Sequence, residues 1–187
     1  MSRYFELMDN MRFPQRWHLR APVNERGESV DPWQFFESTR LEPQGEIRFP
    51  VKPPGHPFDF TLASFLIPVL NSRCVHVFEQ LGIQEVQLLP AQVEGHTGPY
   101  FILNTLQVIR CIDDARCKEA RYWMPEDGQP EKVGQYHVVS GLRIDPSKVG
   151  GAHIFRTWGW TVALIVSEEL KQAMEQAGIT GPDFVEV

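Results

Sequence analysis

The sequence is poor in cysteine. Its 187 residues hold three, Cys74, Cys111 and Cys117, an odd count without framework spacing, which excludes a disulfide-stapled scaffold and suits a reducing compartment. Long apolar runs are also missing. The run Phe65-Leu66-Ile67-Pro68-Val69-Leu70 is brief and interrupted by proline, well short of the roughly 20 apolar residues that span a bilayer. The first ten residues carry no apolar signal core, so the expected location is the cytoplasm, with no membrane partner. Positive charge is in deficit as well. Lysine and arginine number 18 against 24 aspartates and glutamates, a formal net charge of -6; this weighs against nucleic acid as partner and is compatible with a basic protein.

Reactive motifs are equally scarce. There is no Cys-x-x-Cys, no His-Glu-x-x-His and no Gly-x-Ser-x-Gly, and Gly150-Gly151 has neither the remaining residues nor the lysine of a phosphate-binding loop. Cys111 and Cys117 with His137 or His153 match no zinc spacing, so no metal and no cofactor is expected. Cys74 and His76 are the nearest approach to a thiolate pair. On a helix, however, two positions lie about 200° apart, and the two side chains cannot face each other. A buried thiol there behaves as a small apolar residue.

What the chain does have is a strand running into a capped helix. Trp160 to Val166 is short, β-branched and apolar on both alternating faces, the pattern of a strand central in a sheet and covered on both sides. Ser167 suits an N-cap, Glu168 and Glu169 favour the positive end of the helix dipole, and Leu170, Ala173, Met174 and Ala177 form one apolar stripe. Gly178 ends the helix and Ile179 packs back on its last turn. The same grammar appears after Asn71-Ser72, with Cys74, Val77, Phe78 and Leu81 as the stripe and Gly82-Ile83 as the stop. Further strands are predicted at Tyr4 to Met8, Glu46 to Val51, Gln84 to Val93, Tyr100 to Ile109, Tyr136 to Asp145 and Ile154 to Thr157. Glu94 to Gly98 joins two of these as a hairpin. The loose alternation of strands and helices favours α+β, with a largely antiparallel sheet and a few short packed helices.

Residues 1–57 read as an irregular, proline-rich N-terminal part of a single domain whose compact core spans 58–187. Trp17, Trp33, Phe35 and Phe36 argue that this part wraps the core, because a solvated linker seldom carries so many aromatic side chains. Acidic groups gather at Glu25, Glu28 and Asp31, at Asp113 and Asp114, and at Glu126, Asp127 and Glu131, as on most solvated surfaces. One cluster stands out. Tyr122-Trp123 beside Glu126-Asp127 combines aromatic anchors with acidic groups, a composition suited to a protein hot spot, although the two rings are equally at home in a core.

The ordered set Tyr4-Phe5, Asp59-Phe60, Ile67-Pro68-Val69, Gln87-Leu88-Leu89-Pro90, Tyr100 to Asn104, Ile112-Asp113, Phe155-Arg156 and Ser167-Glu168 through Gly178 to Gly181 resembles an immunity protein family of bacterial polymorphic toxin systems. The class is named from a myxobacterial representative, and the resemblance runs nearly end to end. It implies a protein that protects its own cell by binding and blocking a toxin encoded nearby, with no cofactor and no catalytic residues. Joined to the negative charge, it points to a basic, nuclease-type toxin as partner. The residues expected to meet it are Asp113, Asp114, Tyr122, Trp123, Glu126, Asp127 and Glu131. Two other classes remain open at this level: an enzyme reversing toxin damage through a carboxylate or Cys-His centre, and a small-ligand module. Nothing in the sequence fixes an oligomeric state.

Overall fold

Alternating apolar side chains and two capped helices build a layered α+β arrangement in this computed structural model, which describes residues 2–42 and 45–187. Twelve strands appear among the described residues: β1 (Tyr4–Asp9), β2 (Ile47–Phe49), β3 (Phe60–Ala63), β4 (Ile67–Asn71), β5 (Val86–Val93), β6 (His96–Thr105), β7 (Val108–Ile109), β8 (Glu119–Tyr122), β9 (Tyr136–Ser140), β10 (Ile154–Thr157), β11 (Trp160–Ser167) and β12 (Pro182–Glu186). The helices are α1 (Ser72–Gln80) and α2 (Glu168–Gln176). Where one sheet was expected, the strands form two of five, in the orders β12-β1-β11-β10-β7 and β2-β5-β6-β4-β3, with β8-β9 as a separate ribbon. Pairing is antiparallel except for β10 with β7 and β2 with β5.

Side-chain alternation explains the layers. In β11, Leu164 and Val166 join the core that holds both helices, whereas Ala163 and Ile165 face a second core beneath residues 109–152. This strand lies third of five and is covered on both faces, as its apolar run requires. In the other sheet Leu70 and Leu103 turn towards the helices, while Val69 and Ile102 turn towards Trp17, Leu19, Phe35 and Phe36 of the N-terminal stretch. Trp17 is wholly buried, its indole N–H donating to the Thr61 hydroxyl at 2.8 Å.

Both helices begin and end as their sequences dictate. Asn71 accepts from the Cys74 N–H at 3.2 Å and Ser167 from the Leu170 N–H at 3.2 Å. Gly82 and Gly178 take φ values of +64° and +62°, which lets Ile83 and Ile179 bond back to Phe78 and Met174. Asp59 ties the two units together. Its buried carboxylate accepts from Asn71 Nδ2 at 2.7 Å, Arg73 Nη1 at 2.8 Å, and the Thr180 N–H and hydroxyl at 2.9 and 3.0 Å. Burial pushes its pKa up, but these donors outweigh it and hold the carboxyl below the ordinary aspartate value.

Two predicted strands end elsewhere. The run expected at Tyr100 to Ile109 starts at His96, because Glu94-Gly95 closes the hairpin tightly with Val93 opposite His96 and Gly95 at φ +77°. It then breaks after Thr105. Leu106 N–H bonds to Glu85 and the Gln107 carbonyl accepts from Arg156, carrying Val108–Ile109 across to edge the other sheet. The strand expected to reach Asp145 stops at Ser140, since Gly141 turns at φ +54° against Lys118; only Ile144 pairs again, as a single bridge to Ile112.

Candidate functional site

The seven residues expected from sequence to meet a toxin, Asp113, Asp114, Tyr122, Trp123, Glu126, Asp127 and Glu131, all lie in the excursion between β7 and β10, built around the β8-β9 ribbon. Strand geometry brings Tyr122 opposite Tyr136, their rings stacked with centroids 4.6 Å apart. Asp114 accepts from both phenols at 2.5 Å. Burial and the Asp114 carboxylate drive the Tyr136 pKa strongly upwards, so its phenol stays a proton donor across the physiological range. Asp114, Tyr122 and Tyr136 thus form one polar clasp, of which the sequence reading missed Tyr136.

Trp123, next in line, points away from that clasp. It stacks on His137 with centroids 3.8 Å apart, and Lys132 Nζ sits 5.1 Å from its ring. Asp127 caps its own turn by accepting from the Met124 N–H at 2.8 Å. Asp113 anchors another turn through its carbonyl, which accepts from the N–H groups of Arg116 and Cys117. Glu126 and Glu131 are exposed. The structure therefore joins Asp114 with Tyr122, sets Trp123 on a different partner, and leaves Glu126 and Glu131 facing solvent.

The thiol and imidazole weighed as a pair from sequence, Cys74 and His76, are not brought together. Cys74 is fully buried, with its pKa raised by burial and then by Asp59, while His76 is exposed and 3.6 Å from Glu79. Burial likewise pushes the Cys111 thiol up to about 12. Both thiols stay protonated and unreactive at neutral pH. Arg156 is the most deeply buried cation: burial lowers its pKa to about 10, Nη1 donates to the Thr161 carbonyl at 2.7 Å, and the guanidinium lies 4.4 Å from the Phe36 ring centre. It clips the N-terminal stretch to β10 and β11. Among the described residues no three His, Cys, Asp or Glu side chains gather as a metal site would require.

The turn between β3 and β4 is the surface feature that sequence reasoning passed over. Phe65 and Leu66 both sit at positive φ, +63° and +60°, and both are large, apolar and exposed. Each such residue costs about 1–2 kcal/mol of backbone strain. No residue type announced it, because Ser64-Phe65-Leu66 lacks the Gly, Asn or Asp that left-handed positions favour.

The model of the immunity protein family Imm11 matches residues 1–187, the whole length of the chain. The chain belongs to this immunity protein family. No curated protein shows significant similarity to it. Membership places the protein among toxin immunity proteins and agrees with the resemblance carried by its short motifs. No helix among the described residues is long and apolar enough to cross a membrane.

Proposed function

We propose that this immunity protein protects its cell by binding a cognate toxin encoded nearby and covering the toxin's working surface, without catalysis of its own. The observation that carries this reading is the family match from the first residue to the last. The buried, proton-bearing thiols of Cys74 and Cys111 support occlusion over Cys-His chemistry. An interface of roughly 1,600 Å² in total is the size expected of such a complex.

A basic toxin, such as a nuclease domain, fits the net charge of -6, because unlike charges accelerate encounter. Within the acidic excursion we assign that steering to Glu126 and Glu131, which are exposed. Asp113, Asp114, Tyr122, Trp123 and Asp127 hold the excursion in shape. Co-expression with the toxin of the neighbouring gene tests the reading: rescue of growth together with co-purification is expected, and failure of both overturns it.

A further inference from the structure

Four of the nine large apolar side chains that stand exposed among the described residues converge at one place. Phe65 is 49% exposed and Leu66 44%, and the Trp33 ring, 57% exposed, lies 5.9 Å from that of Phe65. On its other side Leu66 lines a groove of about 250 Å³ together with Met11, which is 67% exposed. The four side chains come from three separate stretches of chain that the fold brings to one end of the β3–β4 hairpin. Monomeric proteins seldom leave such a cluster uncovered.

Backbone geometry marks the same spot independently. A turn with two successive residues at positive φ is served at least cost by Asn-Gly or Asp-Gly. Here Phe-Leu occupies it, and neither side chain repays the strain by burial within the chain. A local rule broken without internal compensation points to a demand from outside the fold.

Charge identifies the partner. Arg20 lines the groove and is exposed. Asp9, the acidic residue among those lining the groove, is already paired with the buried Arg16. The groove therefore sets one exposed guanidinium group, that of Arg20, beside the apolar side chains of Met11, Leu62 and Leu66. We infer that this hairpin tip is the anchor of the toxin interface, taking a protruding apolar side chain of the cognate toxin into the groove while a toxin carboxylate meets Arg20. This rests on the proposed function and adds the surface and the local chemistry of the partner. The overall negative charge acts at long range on a basic toxin; Arg20 acts at contact, on a carboxylate flanking the inserted side chain.

The test is titration calorimetry of the full chain with the toxin of the neighbouring gene, alongside sedimentation of each variant alone. Phe65→Asp and Leu66→Asp are each expected to weaken toxin affinity about 30-fold or more, as loss of a central anchor does. Trp33→Ala is the milder second variant, and Gln172→Asp on exposed α2 surface the control; far-ultraviolet dichroism verifies folding. Wild-type binding with tip variants within threefold of it overturns the anchor assignment and leaves the toxin-binding reading standing. Absence of wild-type binding removes both. A wild-type dimer that Leu66→Asp converts to monomer, with unchanged toxin affinity, assigns the tip to a second copy of this chain and likewise overturns the proposal.

Discussion

The excursion between β7 and β10 and the tip between β3 and β4 use their side chains in opposite ways. In the excursion the conspicuous groups are satisfied locally: Asp114 by two phenols, Trp123 by His137, Asp127 by the Met124 N–H. At the tip two large apolar residues sit on strained backbone with much of their surface in water. Composition alone favoured the first region, because acids beside aromatics look like a binding surface. Geometry favours the second, because a group already satisfied within the fold gains little from a partner, whereas strain and exposed apolar area are relieved or rewarded only by one.

The largest expected effect comes from the scaffold that carries both regions. Asp59 joins the start of α1 to the end of α2 through four donors, and Asp59→Ala should lower the unfolding free energy by about 3 kcal/mol, because four hydrogen bonds to one buried carboxylate, each worth about 1 kcal/mol, are lost together. Denaturant unfolding measures this, and the tip and the excursion should lose structure together. The pH dependence has a definite sign. Since the folded-state pKa of Asp59 lies below the unfolded value, its contribution is complete above about pH 4 and drains away as pH falls through the folded value. The alanine variant should accordingly show a flatter acid limb. An unchanged acid limb would mean that the Asp59 hub does not hold the helices together.

Next in size is the clasp inside the excursion. Asp114→Ala removes the acceptor of Tyr122 and Tyr136 and should cost about 1–3 kcal/mol in unfolding free energy. The same variant discriminates between the two regions. If toxin affinity falls by more than the lost fraction of folded protein explains, the excursion belongs to the interface after all.

The legible parts of the sequence were those governed by local rules. Helix starts and stops at Asn71, Ser167, Gly82 and Gly178 depend on neighbours within four residues, and they fall where the pattern puts them. The centrality of β11 follows from an apolar run with no polar face. What escaped was set by distant partners. The division into two sheets depends on the crossover at Leu106-Gln107, which Glu85 and Arg156 hold in place. The β3–β4 hairpin was hidden because its turn lacks turn residues, and β12 because five residues with Pro182 at their head gain strand geometry only by pairing with β1. Tyr136 joins Tyr122 through ribbon register, which no spacing in the sequence announces.

A smaller effect tests the tip through stability. Phe65→Gly removes the penalty of a side chain at φ +63° and should raise the unfolding free energy by about 1 kcal/mol, or the melting temperature by roughly 2–4 °C, while toxin affinity falls. Opposite signs in stability and affinity are what a strained binding residue produces. If both fall, Phe65 is packing against Trp33 for the sake of the fold, and the contrast between the two regions collapses.

The smallest effect belongs to the exposed acids. Glu126→Lys with Glu131→Lys changes neither a buried contact nor a cap, so stability should stay within about 0.5 kcal/mol. The association rate with a basic toxin should fall by several-fold at low ionic strength and converge on wild type as salt shortens the screening length to about 8 Å. Dissociation should be nearly unchanged, because groups that act on the approach are not those that hold the complex. Stopped-flow association across a salt series separates the two. A change confined to the dissociation rate would move the anchor from the Phe65-Leu66 tip to the excursion, and an acceleration of association would mean that the toxin presents an acidic face to this protein.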